Sequence, residues 1–249
     1  MGQIIAVVSG KGGTGKTSFT ALVGAALAAL GYRTLCLDCD IALRNLDLAL
    51  GLSDRALMDF SDVIAHRAAL DEAVVRHPKY DSLYFLAAPV SMDAERIPEE
   101  QMRTLLAQIR AEFDYCLIDA AAGLGASFRL STCAADRVIV ISGTDPTSLR
   151  DAQRTVMELR RFPIGKVHLV VNRVKRRLLK KIHANLDDAI DAAGLPLLGV
   201  IPEDEAIPIA LGRTSLTAIL RRSPALEAAR NIAGRITGRR IPLMKLPKR

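Results

Sequence analysis

A glycine-rich segment near the start of the chain has the residue types and spacing needed to bind a polyphosphate. Residues 10–17 read GKGGTGKT and fit the pattern GxxxxGK[ST]. The glycines let successive backbone N–H groups turn toward phosphate oxygens, Lys16 brings positive charge to the β- and γ-phosphates, and the Thr17 hydroxyl is a ligand for Mg²⁺. We therefore predict that ATP and Mg²⁺ bind here. The predicted phosphate-binding residues are Gly10, Lys11, Gly12, Gly13, Thr14, Gly15, Lys16, Thr17 and Ser18.

Acidic residues end two predicted strands that would lie beside this segment. Asp38 and Asp40 follow the apolar run at residues 33–38, and Asp119 ends the run Leu117-Ile118-Asp119. Ligands of open α/β sheets bind at the carboxyl ends of the strands, and an aspartate placed there can bind Mg²⁺ through water. We predict that role for Asp119. The alternative interpretation of Asp38 and Asp40 is that they cap a helix or lie in a solvated turn. Their position beside a phosphate-binding loop disfavours that alternative.

Strand and helix patterns alternate along the whole chain, as a parallel sheet covered on both faces requires. Short apolar runs predict strands at residues 4–9, 33–38, 83–88, 115–119, 137–142, 167–171 and 197–201. Helices are predicted at residues 16–30, 99–113, 127–135, 148–161 and 178–193. The predicted fold class is α/β, a three-layer α/β/α P-loop NTPase with a mostly parallel central sheet. We expect one domain at residues 1–237 and a basic, apolar tail at residues 238–249.

Positive charge is concentrated at the end of the chain. The formal net charge is +7, and residues 228–249 contain seven basic residues and no acid, which leaves 27 basic against 27 acidic residues elsewhere. A second basic cluster lies at residues 173–181. Each basic run either forms a solvated surface or binds an anionic partner. Such a partner would be a membrane surface or a nucleic acid.

The four cysteines are too few for a disulfide scaffold in a chain of 249 residues. Cys36 and Cys39 are predicted to point to opposite faces of a strand, so we interpret them as small core residues of a protein in a reducing compartment. No apolar run reaches the ~20 residues that span a bilayer. Residues 17–31 have the composition of a signal-peptide core, but a helix after the glycine-rich loop explains them better. We therefore expect a cytoplasmic location.

The motif KGGTGKT resembles the deviant Walker A sequence of the MinD/ParA/nitrogenase iron-protein superfamily. In that family the first lysine reaches the nucleotide of a second subunit, and this role falls to Lys11. The stretch DCDIALRNLD at residues 38–47 is similar to the switch I region of the MinD branch. The resemblance implies that Asp40 positions the attacking water, that Asp38 lies near the metal beside Thr17 and Asp119, and that Asn45 belongs to the dimer face.

Further matches extend the resemblance over residues 3–215. Gly123 corresponds to the glycine whose N–H senses the γ-phosphate, although Ala122 stands where the family usually has proline. Asn172 matches the family's adenine-reading asparagine, whose amide offers a donor and an acceptor; a turn residue after a strand is the alternative. The adenine-lining segment corresponds to Pro202, Glu203 and Asp204. Residues 145–151 more loosely resemble the helix of the dimer face.

The resemblance implies that the protein is an ATPase that forms a homodimer with ATP and attaches to the inner face of the cell membrane. Its catalytic residues would be Lys11, Lys16 and Asp40. Its expected partners are anionic membrane and cell-division regulators, namely MinC-like proteins and MinE- or DivIVA-type topological factors. Family members of this type bind membrane through a short amphipathic C-terminal helix. The tail here has the right composition, but Pro242 and Pro247 do not suit a continuous helix.

Three other interpretations remain open. A loosely structured, solubilising tail would bind nothing. A ParA-like partition ATPase would use the cluster at residues 173–181 to hold DNA phosphates without sequence preference. The iron-protein branch needs cysteines from both subunits around an Fe–S cluster. Only Cys133 is suitably placed, and no cysteine lies between Cys39 and Cys116, so that branch is disfavoured.

Overall fold

A single twisted sheet forms the centre of the computed structural model, which describes residues 1–90, 92–175, 186–213 and 223–246. In those residues the sheet has eight strands in the order β3-β4-β2-β5-β1-β6-β7-β8. The β3–β4 pair is antiparallel and every other pair is parallel. The strands are Gln3–Val8 (β1), Thr34–Cys39 (β2), Val75–Arg76 (β3), Leu83–Leu86 (β4), Tyr115–Ala120 (β5), Arg137–Ser142 (β6), Lys166–Val174 (β7) and Leu197–Pro202 (β8).

Helices cover both faces of this sheet. They are Lys16–Ala29 (α1), Leu46–Leu50 (α2), Phe60–Ile64 (α3), Leu70–Ala73 (α4), Glu99–Glu112 (α5), Ala126–Thr132 (α6), Pro146–Leu159 (α7), Leu186–Ala193 (α8), Ala206–Arg213 (α9) and Pro224–Ile236 (α10), with a 3₁₀ turn at Ala94–Arg96. Helices α1 and α10 pack on one face, and α5, α7 and α8 pack on the other. The predicted three-layer α/β/α class is confirmed.

Strand β1 shows why the sequence forms a central strand. Its residues are apolar without alternation because both of its faces are buried. Ile5 and Val7 pack under α1, whereas Ile4 packs on the side of α5 and Ala6 on the side of α7. The sheet therefore holds the end of β1, and the loop that follows it, in the middle of its carboxyl edge.

The cysteines agree with the sequence prediction. Cys36 and Cys39 are free and buried, and they belong to clusters on opposite faces of the sheet. No helix within the described residues has both the length and the apolar composition needed to cross a bilayer.

Short elements between β2 and β4 were not predicted. Helices α2, α3 and α4 are only four or five residues long, so helical periodicity has no room to appear. Helix α3 is defined instead by a capping box in which Asp59 accepts from the Ser61 N–H and Asp62 accepts from the Asp59 N–H. The helix predicted at residues 178–193 is present from Leu186 to Ala193, and its first part lies outside the described residues.

Residues 239–246, which we call the terminal segment, follow α10 without forming a helix. The Arg235 guanidinium holds their beginning by donating to the carbonyls of Ile241 and Pro242, at 2.9 and 2.8 Å, and to the Leu198 carbonyl of the edge strand β8 at 2.9 Å. Met244 packs on the cluster under α1 and α10, and Leu246 packs on the cluster at the opposite face. The terminal segment therefore runs past β8 from one face of the sheet to the other.

Candidate functional site

The loop between β1 and α1 is shaped by two glycines in a conformation that disfavours a Cβ atom. Gly13 has φ 74° and Gly15 has φ 92°, and Gly15 also serves as the N-cap of α1. A Cβ on Gly15 would collide with the side-chain amide of Asn172. The loop therefore brings backbone N–H groups and the positive end of α1 to one place, which is the arrangement that binds phosphate.

Ser9 organises the side chains beneath the loop. Its hydroxyl accepts from the Lys16 ammonium at 3.0 Å and from the Thr14 hydroxyl at 2.9 Å, and it donates to the Lys11 carbonyl at 2.8 Å. Lys16 is buried, so desolvation lowers its pKa while Asp119 and Asp40 oppose that shift. No carboxylate of the described residues forms an ion pair with the Lys16 ammonium. Sequence reasoning missed Ser9.

Two buried carboxyl groups lie side by side under the loop. Asp38 on β2 and Asp119 on β5 are register partners in the sheet, and both are about 1% exposed. Burial raises the pKa of Asp119 to about 7, although Thr17 and Lys16 act against that rise. Burial and the neighbouring Asp119 also raise the pKa of Asp38, whose oxygens accept from the N–H groups of Asp40 and Leu46 at 2.9 and 3.2 Å.

Asp40 starts the turn that leads into α2. Its carboxylate accepts from the Leu43 N–H at 3.2 Å, and its carbonyl accepts from the Arg44 N–H at 2.9 Å. Arg44 has φ 45°, a left-handed conformation that is uncommon for arginine. Asn45 then acts as the N-cap residue of α2. Asp40 and Asn45 line the same cavity as the loop, so this turn forms one wall of the site.

Residues after β7 and β8 form the opposite wall. The Asn172 amide donates to the Thr14 carbonyl at 2.7 Å and accepts from the Arg173 N–H at 2.9 Å, which leaves one N–H and one lone pair for a ligand. Arg173 contacts both carboxylate oxygens of Glu203, at 3.1 and 3.3 Å, and donates to the Gly13 carbonyl at 3.4 Å. Asp204 accepts from the N–H groups of Ala206 and Ala225. The contacts of Arg173 were not predicted.

These walls enclose a cavity of about 580 Å³ at the carboxyl edge of the sheet. Most predicted residues line it, namely Gly12, Gly13, Gly15, Lys16, Thr17, Ser18, Asp40, Asn172, Pro202, Glu203 and Asp204. Gly10, Lys11, Thr14, Asp38, Asp119 and Gly123 lie outside the lining. Sequence reasoning missed the apolar part of the lining, which includes Leu22, Leu48, Ile207, Pro208 and Leu211. An apolar wall opposite a phosphate loop is the surface that an adenine ring requires.

Lys11 points away from the cavity. Its ammonium lies 3.4 Å from the Asp145 carboxylate and 3.3 Å from the Thr147 hydroxyl, both at the beginning of α7. Burial acts to raise the pKa of Asp145, but hydrogen bonds from Ser148 and Thr147, together with Lys11, hold it well below its usual range. The side chains of Lys11 and Asp145 are 38% and 53% exposed, so this ion pair contributes little to stability.

Gly123 and Gly10 are packed against the protein rather than against the cavity. The Gly123 N–H donates to the Ser9 carbonyl at 3.2 Å, and its φ of 89° explains why glycine stands there. A Cβ on Gly10 would approach the Asp151 carbonyl to 2.8 Å, so α7 lies directly against the start of the loop. For the N–H of Gly123 to reach a γ-phosphate, its bond to Ser9 would have to break.

The oxygen atoms present as possible metal ligands fit Mg²⁺ bound together with a nucleotide. Asp119 Oδ1 is buried without a hydrogen-bond partner, and the Thr17 hydroxyl lies beside the same carboxyl group. The described residues contain no group of three His, Cys, Asp or Glu side chains that could hold a metal. Mg²⁺ commonly uses one or two protein ligands, phosphate oxygens and water, and Thr17 and Asp119 supply the protein share of that set.

The sequence and the fold both resemble those of known nucleotide-binding proteins. Residues 5–217 match the family model described as CobQ/CobB/MinD/ParA nucleotide binding domain. The septum site-determining protein MinD of Synechocystis sp. is 37% identical over 247 residues, covering 98% of this chain and 92% of that protein. In the MinC:MinD cell division protein complex of Aquifex aeolicus, the matched chain is 32% identical with a TM-score of 0.90, covering 98% of this chain and 99% of that chain.

A third similar structure was solved with a nucleotide and a metal ion. It is the septum site-determining protein MinD of Pyrococcus horikoshii complexed with Mg-ADP, which is 28% identical with a TM-score of 0.83 and covers 95% of this chain and 96% of that chain.

Proposed function

Since this chain belongs to the CobQ/CobB/MinD/ParA nucleotide-binding family, we propose that it is a switch that ATP drives from monomer to dimer. It is a P-loop ATPase with ATP and Mg²⁺ as its cofactors, and over nearly its whole length it is similar to septum site-determining ATPases. The proposal is that the ATP dimer attaches reversibly to membrane and recruits partners that place the division site.

Within the site, each proposed catalytic residue acts on a different part of the reaction. Lys16 holds the β- and γ-phosphates from inside the loop, and Asp40 orients the attacking water from the facing turn. Thr17 and Asp119 would hold Mg²⁺, with Asp38 beside Asp119, and the ion would neutralise the charge that develops on the phosphate. Asn172 offers its remaining amide N–H and lone pair to the adenine, and residues 202–204 and the apolar lining flank the ring. Asp40→Ala is therefore expected to keep ATP bound and lose hydrolysis, which a phosphate-release assay measures.

The observation that carries the dimer proposal is the position of Lys11. Its ammonium lies outside the lining of the cavity of its own protomer and is held by exposed contacts with Asp145 and Thr147. Exchanging that weak contact for a phosphate of a second protomer costs little and places a cation on transferring phosphate. ATP binding and dimerisation then become one coupled event.

Membrane attachment is assigned to residues 238–249. Their five basic residues, with the half-exposed Leu243 among them, suit an anionic surface. One such segment binds weakly and reversibly. Two segments on an ATP dimer bind much more tightly because the second attaches at a high effective concentration. Because Met244 and Leu246 pack on the domain, insertion requires the terminal segment to detach first.

A MinC-like protein is the proposed division partner, because the matched Aquifex structure is a complex of that kind. MinE- or DivIVA-type topological factors are proposed as regulators on the family resemblance alone. Non-specific DNA is the competing partner. Of its proposed binding cluster, Arg173 and Lys175 lie within 3.1 and 4.0 Å of Glu203, which reduces the charge available to a phosphate backbone. The rest of that cluster lies outside the described residues.

Co-sedimentation with vesicles of anionic lipid, with and without ATP, tests the membrane proposal. A DNA mobility assay in the same salt tests its competitor. We expect ATP-dependent vesicle binding that is lost on deletion of residues 238–249 and reduced by Leu243→Asp. The control is Leu57→Asp, which changes an exposed leucine outside the terminal segment. ATP-dependent DNA binding without vesicle binding would refute membrane attachment.

A further inference from the structure

A second cavity lies at the amino edge of the sheet, opposite the nucleotide site. Its volume is about 980 Å³, and it is formed where β1, β5, β6 and β7 begin and α10 ends. The residues that matter for its chemistry are Tyr115, Arg137, Lys166, His168 and Arg235. We call it the amino-edge cavity. None of the nucleotide-binding residues takes part in it.

Arg137 is the unusual residue of the amino-edge cavity. It is only 6% exposed, yet among the described residues its side chain makes one hydrogen bond, a long contact of 3.5 Å to the Ile236 carbonyl, and its Nε has no partner there. No carboxylate of the described residues forms an ion pair with it. Arg110 lines the same cavity but is paired with Asp136 at 2.8 Å. A buried guanidinium without an anion is costly, because buried charges in proteins are normally paired.

The neighbours of Arg137 add positive charge. Lys166 is its register partner on β7, and two residues later the Nδ1 atom of His168 is buried without a hydrogen-bond partner. Arg235 donates only to carbonyl oxygens, so its charge is not neutralised by an acid.

The acids of the lining do not offset this charge. Glu112 lies 3.9 Å from Arg33, and Asp114 accepts a hydrogen bond from the Arg33 N–H, so both are engaged elsewhere. Four Lys and Arg residues of the lining therefore face two acids.

We propose that the amino-edge cavity binds a phosphate-type oxyanion between Arg137, Lys166 and His168. The guanidinium and ammonium donate charge-assisted hydrogen bonds. Burial, Arg137 and Lys166 lower the pKa of His168, so its ring donates as the neutral tautomer that carries the proton on Nδ1. Two sources carry this chemistry, namely a soluble phosphate compound and the headgroup of an anionic phospholipid. The site is independent of ATP binding, because it lies at the other edge of the sheet.

The first test uses inorganic phosphate as the probe and the full chain saturated with ADP and Mg²⁺, so that phosphate does not register at the nucleotide loop. Histidine ring signals are followed by NMR. We expect a saturable shift of the His168 signals and none of His66. Arg137→Met should abolish the shift, and Lys166→Ala should weaken binding about tenfold, the usual effect of one charge-assisted hydrogen bond. Lys79→Ala, another exposed lysine, is the matched control.

A thermal melt checks that Arg137→Met folds. If this variant does not fold, Lys166→Ala still tests the proposal, because Lys166 is exposed and its replacement should not disturb the core.

Vesicles of phosphatidylglycerol or phosphatidylcholine then distinguish the two sources of the oxyanion. Reduced binding of Lys166→Ala to phosphatidylglycerol alone identifies a lipid headgroup, whereas unchanged vesicle binding with the NMR shift retained identifies a soluble phosphate compound. The proposal is overturned if phosphate gives no saturable His168 shift, or if both variants shift like the wild type. Neither result depends on dimerisation.

Discussion

At the scale of single residues, the nucleotide site of the free protein contains buried ionisable groups whose desolvation is unfavourable, and a bound ligand can offset that free energy. Asp38 and Asp119 are buried next to each other, and Lys16 is buried nearby with no ion-pair partner in the described part of the chain. Burial raises the pKa of both carboxyl groups and lowers the pKa of Lys16. The free protein therefore keeps charged groups in a poorly solvated place because Mg²⁺ and phosphate need them there.

The raised pKa of Asp119 predicts how stability depends on pH. The carboxyl binds its proton more tightly in the folded chain, at about pH 7, than in the unfolded chain, at about pH 4. Its contribution is therefore complete below pH 4 and is lost as the pH rises to 7. Without nucleotide, Asp119→Asn should reduce the loss of unfolding free energy between about pH 4 and pH 8 by roughly 4 kcal/mol, measured by denaturant titration.

The matched control for that experiment is Asp54→Asn, which changes an exposed aspartate. Its φ of 62° is one that asparagine also adopts, so the backbone should be unaffected. Asp38 shifts in the same direction, so some pH dependence should remain in Asp119→Asn. An unchanged pH profile in Asp119→Asn would show that the Asp119 carboxyl is not desolvated.

Lys11 allows binding and dimerisation to be separated. Lys11→Ala should still bind ATP, because Lys16 and the loop backbone remain, but should not form an ATP-dependent dimer in light scattering. Lys79→Ala is the control. It removes an exposed lysine outside the site, so ATP-dependent dimerisation should persist. A normal ATP dimer of Lys11→Ala would refute the action of Lys11 on a second protomer.

Sequence reasoning identified the residues of the loop because they are contiguous and follow a spacing rule. It missed Arg173 with Glu203, and Lys11 with Asp145, because these pairs join residues 30 and 134 positions apart. No local pattern specifies such contacts, since they depend on which strands become neighbours. The unpaired Arg137 was missed for the same reason. The clue available in the sequence was an arginine at the start of an otherwise apolar strand.

At the scale of secondary-structure elements, most long strands and helices were predicted and the short or irregular ones were not; the long helix α10 was missed. The strands β1, β5 and β6 follow from continuous apolar runs, and α5 follows from a proline and two acids at its start. The terminal segment has the composition of a membrane helix, but in this structure it is not helical and runs past β8 from one face of the sheet to the other. Pro242 explains the absence of helix, and the carbonyls that Arg235 binds explain where the chain goes.

Arg235 is therefore predicted to hold the terminal segment on the domain. Arg235→Ala removes three hydrogen bonds, each worth about 1 kcal/mol. Trypsin cleavage after Arg240 should then become at least about tenfold faster, because cleavage requires local opening. Mass spectrometry identifies the cleavage site. Arg230→Ala, an exposed arginine on the same helix, should leave the rate unchanged. Equal rates in the two variants would show that Arg235 does not restrain the segment.

At the scale of the whole molecule, the fold places the nucleotide cavity and the amino-edge cavity at opposite edges of one sheet. The carboxyl edge carries the loop and the carboxylates, and the amino edge carries the unpaired guanidinium. A ligand at one edge therefore need not exclude a ligand at the other. The order of the strands was not predictable in detail, since apolar runs do not specify their neighbours.

Binding at the carboxyl edge should stabilise the whole chain. At about one hundred times the dissociation constant, ATP with Mg²⁺ contributes about 2.7 kcal/mol, which raises Tm by roughly 5–10 °C for a chain of this size. Lys16→Ala should abolish nucleotide binding and hence this rise, as a thermal melt with and without nucleotide measures. Lys175→Ala, which leaves the loop intact, is the control. A full rise in Lys16→Ala would refute the assignment of the phosphate loop.

The contact between Asn172 and Thr14 has a consequence for redesign of the site. The side chain proposed to read the base also supports the loop that holds the phosphates, and it leaves no room for a larger residue at position 15. Replacing Asn172 to accept a different nucleobase would therefore alter the affinity for every nucleotide at once. Selectivity is better engineered from Pro208 and Leu211, which touch the cavity without supporting the loop.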